Sequence, residues 1–197
     1  MISITVGAGD QAHDVLIGDL SAALGRIAAI AQGRPLPLVT DARVLGLHGA
    51  SLADVALQPP ILVPEGEDAK DWTTLAAIID GLARRNADRG TPILALGGGS
   101  VGDVSGLAAS LFKRGCPIIH IPTTLLAQAD SAIGGKTAID AAGQKNLVGS
   151  FHMPALVVAD PGLLDTLDPR QLRSGYAEIV KYGLIDDPAF FDWCEAH

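Results

Sequence analysis

The chain has 197 residues and a formal net charge of −8; 48% of its residues are hydrophobic and only 4% are aromatic. This length suits one α/β domain with room for the start of a second. The negative charge argues against nucleic acid or an anionic membrane as a partner, because neither polyanion would gain counterion release from such a surface.

The first half of the chain alternates strand and helix patterns. Residues 2–6 and 13–18 are predicted to form a hairpin joined at Gly7–Asp10. A helix follows with Asp19 as its cap, and its predicted apolar face is Leu20, Leu24, Ile27, Ala28 and Ala31. Strands are predicted at 36–40 and 61–63. The next helix has the apolar residues Trp72, Leu75, Ile79 and Leu82.

The second half continues this alternation. Strands are predicted at 93–96, 118–121 and 155–159, with a helix at 104–112. A polar, glycine-rich stretch from Pro122 to Ser150 is predicted to be a functional loop. Asp168 and Pro169 begin a last helix, with the apolar residues Leu172, Tyr176, Ile179 and Val180. The alternation predicts an α/β fold with an open, mostly parallel sheet and helices on both faces.

Other features of the sequence predict the cellular compartment of the protein. No run of residues is apolar over the length that crosses a bilayer, and the N-terminus lacks the basic start of a signal peptide. With only Cys116 and Cys194, a reduced, cytoplasmic location is expected. The aromatic residues near the end of the chain, Phe190, Phe191 and Trp193, suggest either docking on the domain or a surface that a missing partner covers, and the missing partner is the preferred interpretation.

Gly97-x-Gly99-x-x-Gly102 matches a dinucleotide-binding pattern between a predicted strand and a predicted helix. The pattern alone is weak, and a tight turn without a ligand remains an alternative. The acidic residue expected about 20 positions later is absent. A nucleotide's ribose would therefore be bound from elsewhere, and the candidates are Asp41, Glu65 and Lys70.

Gly134–Thr137 has the GGKT sequence of a phosphate-binding P-loop, but Asp130 stands where that motif needs a glycine and no helix is predicted to follow. The ATPase interpretation fails. The surrounding polar run contains two lysines among glycines, which suits a phosphorylated or carboxylated ligand. A solvated loop is the alternative. The run comprises Thr123, Thr124, Gln128, Asp130, Ser131, Lys136, Thr137, Lys145 and Asn146.

Ser174, Glu178 and Lys181 share one face of the last predicted helix. Glu178 is a candidate metal ligand, and an ordinary exposed helix face is the alternative. A catalytic zinc site typically takes about three protein ligands, and none of the five histidines has ligand spacing to Glu178. A metal site is therefore not completed within this sequence.

Six blocks together resemble the 3-dehydroquinate synthase family, in that family's order and spacing and over essentially the whole chain. They are PEGEDAK (64–70), GGGSVGDVSG (97–106), KRG (113–115), IPTTLLAQADSAIGGKTAID (121–140), GQKNLVGSFHMP (143–154) and SGYAEIVKYG (174–183).

The resemblance implies a step of the shikimate pathway. The family converts 3-deoxy-arabino-heptulosonate 7-phosphate to 3-dehydroquinate and phosphate, with catalytic NAD and a divalent metal, zinc or cobalt. In such enzymes a ring hydroxyl is transiently oxidised, phosphate is eliminated, the ketone is reduced again, and an aldol step closes the carbocycle. The metal would polarise the hydroxyl.

The resemblance also implies two domains and a set of binding residues. Residues 1–167 would form a Rossmann-like NAD-binding domain, and residues 168–197 the beginning of a helical metal- and substrate-binding domain. The residues that match NAD-binding positions are Asp41, Glu65, Gly66, Glu67, Asp68, Ala69, Lys70, Gly99, Ser100, Val101, Gly102, Asp103, Thr123, Thr124, Lys136, Lys145, Leu163, Leu164, Asp165 and Thr166.

The remaining matches concern the substrate and the metal. Asp130, Lys136 and Asn146 match substrate-contacting positions, the latter two near the phosphate. Arg114 matches an arginine supplied across a homodimer interface. Glu178 matches the first metal ligand, with Lys181 beside it.

This sequence departs from the family pattern in one respect. The family's two histidine metal ligands lie beyond the point where the sequence stops, so we expect this chain alone to be inactive and to bind NAD weakly. The alternatives are a sugar-phosphate cyclase of secondary metabolism, a metal-dependent alcohol dehydrogenase of similar architecture, or a non-catalytic nucleotide-binding module.

Overall fold

The computed structural model describes residues 1–197, apart from the side chain of Asp10. The strands are β1 (Ile2–Val6), β2 (His13–Ile17), β3 (Leu38–Asp41), β4 (Ile61–Val63), β5 (Ile93–Gly97), β6 (Ile118–Pro122), β7 (Lys136–Ala141), β8 (Gln144–Phe151) and β9 (Leu156–Ala159). The α-helices are α1 (Leu20–Ala31), α2 (Ala42–His48), α3 (Trp72–Arg84), α4 (Gly99–Leu111), α5 (Pro169–Ile185) and α6 (Pro188–Ala196).

Seven strands form one sheet in the order β1-β2-β9-β6-β5-β3-β4, and every pairing except β1 with β2 is parallel. The central strands are buried along their whole length, as apolar runs in a parallel sheet require. Side chains of β5 alternate between two cores. Ile93 and Ala95 pack with α3 and α4, while Leu94 and Leu96 pack with α1. The predicted α/β fold is confirmed.

The stretch from Pro122 to Ser150 is not the long loop that was predicted. It contains a π-helical turn at Ala127–Ser131, followed by the antiparallel hairpin of β7 and β8. Thr137 and Ile139 are buried against the rest of the domain, so one face of β7 belongs to the core. Glycines and charged residues on the open side of this segment hide the strand alternation in the sequence.

Several element boundaries also differ from prediction. α4 begins at Gly99 rather than Val104, because residues that favour turns locally are held in a helix by packing. α1 buries Ala23 in place of Ala28, which is exposed. α3 buries Ile78 fully and leaves Trp72 56% exposed. β3 starts at Leu38, two residues later than predicted.

Helices α5 and α6 pack against each other, and α5 contacts the sheet domain at the π-helical turn and at the residues just before it. A Cβ on Gly175 would lie 2.5 Å from the backbone nitrogen of Leu126, so this contact needs glycine. The apolar face predicted for α5 is not a buried face, because Leu172 is 43% exposed and its other members are half-buried. Trp193 of α6 stacks on Phe190 and on His197, and it remains 52% exposed.

Both cysteines are buried free thiols. Of the helices that the structure describes, none combines the length and the apolar character needed to span a membrane.

Candidate functional site

Five neighbouring parallel strands end at one edge of the sheet, and most predicted nucleotide-binding residues follow those ends. Asp41 is the last residue of β3 and Glu65–Lys70 follow β4. Gly99–Asp103 open α4 after β5, Thr123 and Thr124 follow β6, and Leu163–Thr166 follow β9. Because crevices at the carboxyl ends of parallel strands are the usual ligand sites of such sheets, this edge is the candidate site.

The turn between β5 and α4 is closely packed and can accept an anion. A Cβ on Gly97 would lie 2.7 Å from the side chain of Val101, and one on Gly98 would lie 3.0 Å from Cγ2 of Thr124. A Cβ on Gly99 would lie 2.9 Å from Oγ of Ser131. No side chain caps the N-terminus of α4. Its first N–H groups are therefore available to a phosphate, which the positive end of the helix also stabilises.

A capping hydrogen bond fixes Asp41 at the start of α2, and a second contact joins the end of α2 to the segment after β9. The Asp41 side chain is buried and its Oδ1 accepts a hydrogen bond from the backbone N–H of Val44, 2.7 Å away, at the start of α2. At the end of α2, Nε2 of His48 lies 2.9 Å from Oγ1 of Thr166. Burial lowers the pKa of His48, although the charge of Asp160 opposes this. His48 was not predicted, since a single histidine in an apolar segment carries no sequence signal.

Glu67 connects the segment after β4 with α4 and with the β7–β8 hairpin. Its carboxylate accepts hydrogen bonds from Ser100 Oγ at 2.9 Å and from Lys145 Nζ at 3.0 Å. Burial alone would raise the pKa of Glu67, but hydrogen bonds from Lys145 and Ser100 and the charges of Lys70 and Lys145 together lower it. The same contact raises the pKa of Lys145.

Lys70 makes a buried ion pair beneath the hairpin. Only 5% of its side chain is exposed, and Nζ lies 2.6 Å from Oδ2 of Asp103. Nζ also donates a hydrogen bond to Oδ1 of Asn146. Burial raises the pKa of Asp103, and the hydrogen bond and charge of Lys70 oppose that rise. The ammonium of Lys70 is thus engaged inside the protein.

Apart from the sheet edge, a depression lies between the β7–β8 hairpin and the π-helical turn. Its volume is about 490 Å³, and Lys136 Nζ lies 3.6 Å from Oδ1 of Asp130 beside it. The predicted substrate residues Asp130, Lys136 and Asn146 are therefore brought together, although 16 residues separate the first from the last. The lining is Asp103, Asp130, Ser131, Lys136, Thr137, Ala138, Asn146, Leu147, Gly149, Ser150 and Phe151.

The three remaining residues that were predicted to bind the substrate or the metal lie outside that lining. Glu178 and Lys181 form an ion pair on α5, which approaches the depression through Tyr182, whose hydroxyl lies 3.3 Å from Oδ1 of Asp130. Arg114 is exposed on a turn in which it and Lys113 both have positive φ, at 64° and 48°. Such a backbone is unfavourable for residues with a Cβ.

The residues of this chain do not by themselves fit a metal ion. Throughout the part of the chain that the structure describes, no three His, Cys, Asp or Glu side chains gather as a metal site. Glu178 offers one carboxylate, and Lys181 already pairs with it.

Residues 60–174 match the family model described as 3-dehydroquinate synthase N-terminal. The chain belongs to the 3-dehydroquinate synthase family. It is 48% identical over 204 residues to the 3-dehydroquinate synthase of Caulobacter vibrioides (strain NA1000 / CB15N), covering 99% of this chain and 55% of that protein. The chain spans about half the length of the curated relatives it matches.

Solved structures of sugar-phosphate cyclases have the same fold. The 2-epi-5-epi-valiolone synthase of Streptomyces hygroscopicus subsp. jinggangensis 5008, with NAD⁺ and Zn²⁺ bound, superposes with a TM-score of 0.89 at 35% identity, covering 98% of this chain and 55% of that one. A 2-deoxy-scyllo-inosose synthase complexed with carbaglucose-6-phosphate, NAD⁺ and Co²⁺ gives 0.82 at 28% identity, covering 93% and 52%.

Proposed function

We propose that this chain is the nucleotide- and phosphate-binding half of a 3-dehydroquinate synthase, which converts 3-deoxy-arabino-heptulosonate 7-phosphate to 3-dehydroquinate and phosphate. The observation that carries the proposal is the adjacency of two sites. An anion-accepting glycine turn lies at the carboxyl edge of the sheet, and Asp103 of the helix that it opens also lines the depression holding Asp130, Lys136 and Asn146.

NAD fits the carboxyl edge. The start of α4 offers N–H donors to the pyrophosphate, and Asp41 offers a carboxylate to ribose hydroxyls. Thr123, Thr124 and the Leu163–Thr166 segment close the edge on its other side. NAD, when bound, supplies a hydride acceptor and donor. The protein's part is to hold it in place and to keep its reactive ring beside the depression.

In the depression, Lys136 supplies a positive charge and Asn146 an amide to a phosphate group. Asp130 lies 3.6 Å from Lys136 and holds that ammonium towards the cavity. The proposal extends to a cytoplasmic homodimer in which the exposed Arg114 reaches the depression of the other copy. The metal belongs to a site to which the described residues of this chain contribute only Glu178.

A second candidate is a sugar-phosphate cyclase of secondary metabolism, which the 35% identity to 2-epi-5-epi-valiolone synthase favours. Substrates of the two classes differ in the carboxylate of the heptulosonate. Turnover by the complete protein separates them, when a heptulosonate 7-phosphate is compared with a heptulose 7-phosphate that lacks the carboxylate: a clear preference for the acid supports the synthase.

Asp41→Asn is expected to weaken NAD⁺ binding about tenfold or more, because a charged acceptor to the ribose hydroxyls is lost. The amide oxygen still caps α2, so the melting temperature should change little. Isothermal titration calorimetry of this chain measures the affinity. Asp187→Asn, which alters the cap of α6, is the matched control and should bind NAD⁺ like wild type. Equal affinity for Asp41→Asn and wild type would contradict the assignment.

We expect no phosphate release from 3-deoxy-arabino-heptulosonate 7-phosphate by this chain alone, even with NAD⁺ and Zn²⁺, because its described residues offer a single predicted metal ligand. Adding the separately expressed C-terminal half of the Caulobacter vibrioides synthase should restore measurable release. A phosphate assay on each half and on the mixture makes the comparison. Activity of this chain without a partner would refute the expectation.

A further inference from the structure

Lys70 and Asn146 belong to a closed ring of hydrogen bonds that no sequence pattern indicated. The backbone oxygen of Lys70 accepts from the N–H of Asp140 at 2.8 Å, and Oδ1 of Asp140 accepts from the N–H of Asn146 at 2.8 Å. The ring closes where Lys70 Nζ donates to Oδ1 of Asn146. Asn146 has a φ of 55°, which asparagine tolerates better than most residues.

This ring decides which end of the Asn146 amide faces the depression. A lysine ammonium has three donors and no acceptor, so it can bind only the oxygen of an amide. In the part of the chain that the structure describes, Nδ2 of Asn146 has no hydrogen-bond partner, while the residue lines the depression beside Lys136. An anion needs donors, and Nδ2 offers two.

We propose that Lys70 is a positioning residue that turns the Asn146 amide so that its N–H donors, and not its oxygen, face a phosphate group in the depression. The inference rests on the proposed function and deepens it. The third partner, Asp103, keeps the Lys70 ammonium in place and lies in the same helix as the glycine turn. Lys70 thereby joins the segment after β4, at the carboxyl edge of the sheet, to the β7–β8 hairpin.

Asn146→Asp is the variant that separates positioning from structure. An aspartate keeps the contact with Lys70 and turns it into an ion pair, so the melting temperature should hold or rise. It replaces the two donors with a carboxylate oxygen, so affinity for inorganic phosphate should fall at least tenfold. NMR titration of this ¹⁵N-labelled chain with inorganic phosphate measures that affinity.

The side-chain amide signal of Asn146 gives a direct readout. In wild type this signal, identified by its loss in Asn146→Asp, should shift as phosphate binds. Lys70→Met should weaken phosphate binding about tenfold, and the double variant with Asn146→Gly should lose no more than Asn146→Gly alone. Asn146→Gly keeps the positive φ. Arg26→Met, which removes an exposed ion pair with Asp14, is the charge-matched control and should bind phosphate like wild type.

Three outcomes are decisive against the inference: an unmoved Asn146 amide, full phosphate affinity in Asn146→Asp, or additive losses in the double variant. If Lys70→Met does not fold, the amide signal and the Asn146→Asp comparison still test it. NAD⁺ titration of wild type is the separate test of the proposed function. Normal NAD⁺ binding with any of the three outcomes overturns only the role of Lys70.

Discussion

Lowering the pH from 7 to 4 should cost the folded protein about 3 kcal/mol through His120 alone. His120 lies on the central strand β6 and is buried, and burial followed by the neighbouring charges of His152 and His13 lowers its pKa from 6.5 to about 4. As the pH falls through 6.5, His120 therefore binds a proton in the unfolded chain, whereas in the folded protein it stays neutral until the pH approaches 4. Full stability is present above pH 6.5 and is lost as the pH falls towards 4.

Urea unfolding of wild type and His120→Gln at intervals from pH 7.5 to pH 4 measures this difference. The variant should lose about 3 kcal/mol less than wild type across that range, whatever its stability at neutral pH. His197→Gln, which changes an exposed histidine at the end of the chain, should follow the wild-type slope. Parallel slopes for His120→Gln and wild type would show that His120 does not carry the acid sensitivity.

Gly106→Ala should destabilise the protein by about 2 kcal/mol, although alanine favours helix more than glycine does. Gly106 is buried in α4 where β7 crosses it, and a Cβ there would lie 2.4 Å from Cγ2 of Thr137. Thr137 cannot turn away easily, since its hydroxyl donates to the backbone oxygen of Ser150 at 2.9 Å. The clash would push the hairpin off the helix.

Two further variants test that reason by thermal unfolding. Thr137→Ser removes the methyl group and keeps the hydroxyl, so Gly106→Ala combined with Thr137→Ser should recover most of the loss. Gly25→Ala, in an exposed turn of α1 with open space around it, should instead stabilise by about 0.5–1 kcal/mol. If Gly106→Ala and Gly25→Ala changed the stability by similar amounts, β7 would not pack tightly on α4.

The gathering of the nucleotide-edge residues could be predicted because it depends on local patterns and on topology. Asp41 ends one short strand, Thr123 directly follows another, and Gly99 follows a third by two residues. Once the runs are read as parallel strands, their carboxyl ends must share one edge. The assignment of particular ligands to these residues came from the family resemblance and stays a prediction until binding is measured.

The hairpin could not be recognised in the same way. Residues 136–151 are exposed on one side and interrupted by Gly143 and Gly149, so their alternation is weak in the sequence. β7 can pack closely on α4 only because position 106, 30 residues before the strand begins, is a glycine. The late start predicted for α4 has a related cause, because packing outweighs the low helix propensity of Gly99 and Gly102.

The sequence by itself determined the α/β alternation, the parallel sheet and the family, since these follow from the period of the apolar residues and from contiguous motifs. Only the tertiary structure decided which polar groups are free to act. Lys70 and Lys145 look alike in the sequence, yet one is buried between Asp103 and Asn146 while the other lies in solvent against Glu67. Burial, and contact with a partner distant in the chain, arise only when the strands and the hairpin pack together. These two properties set the charge and the orientation of the groups in the site.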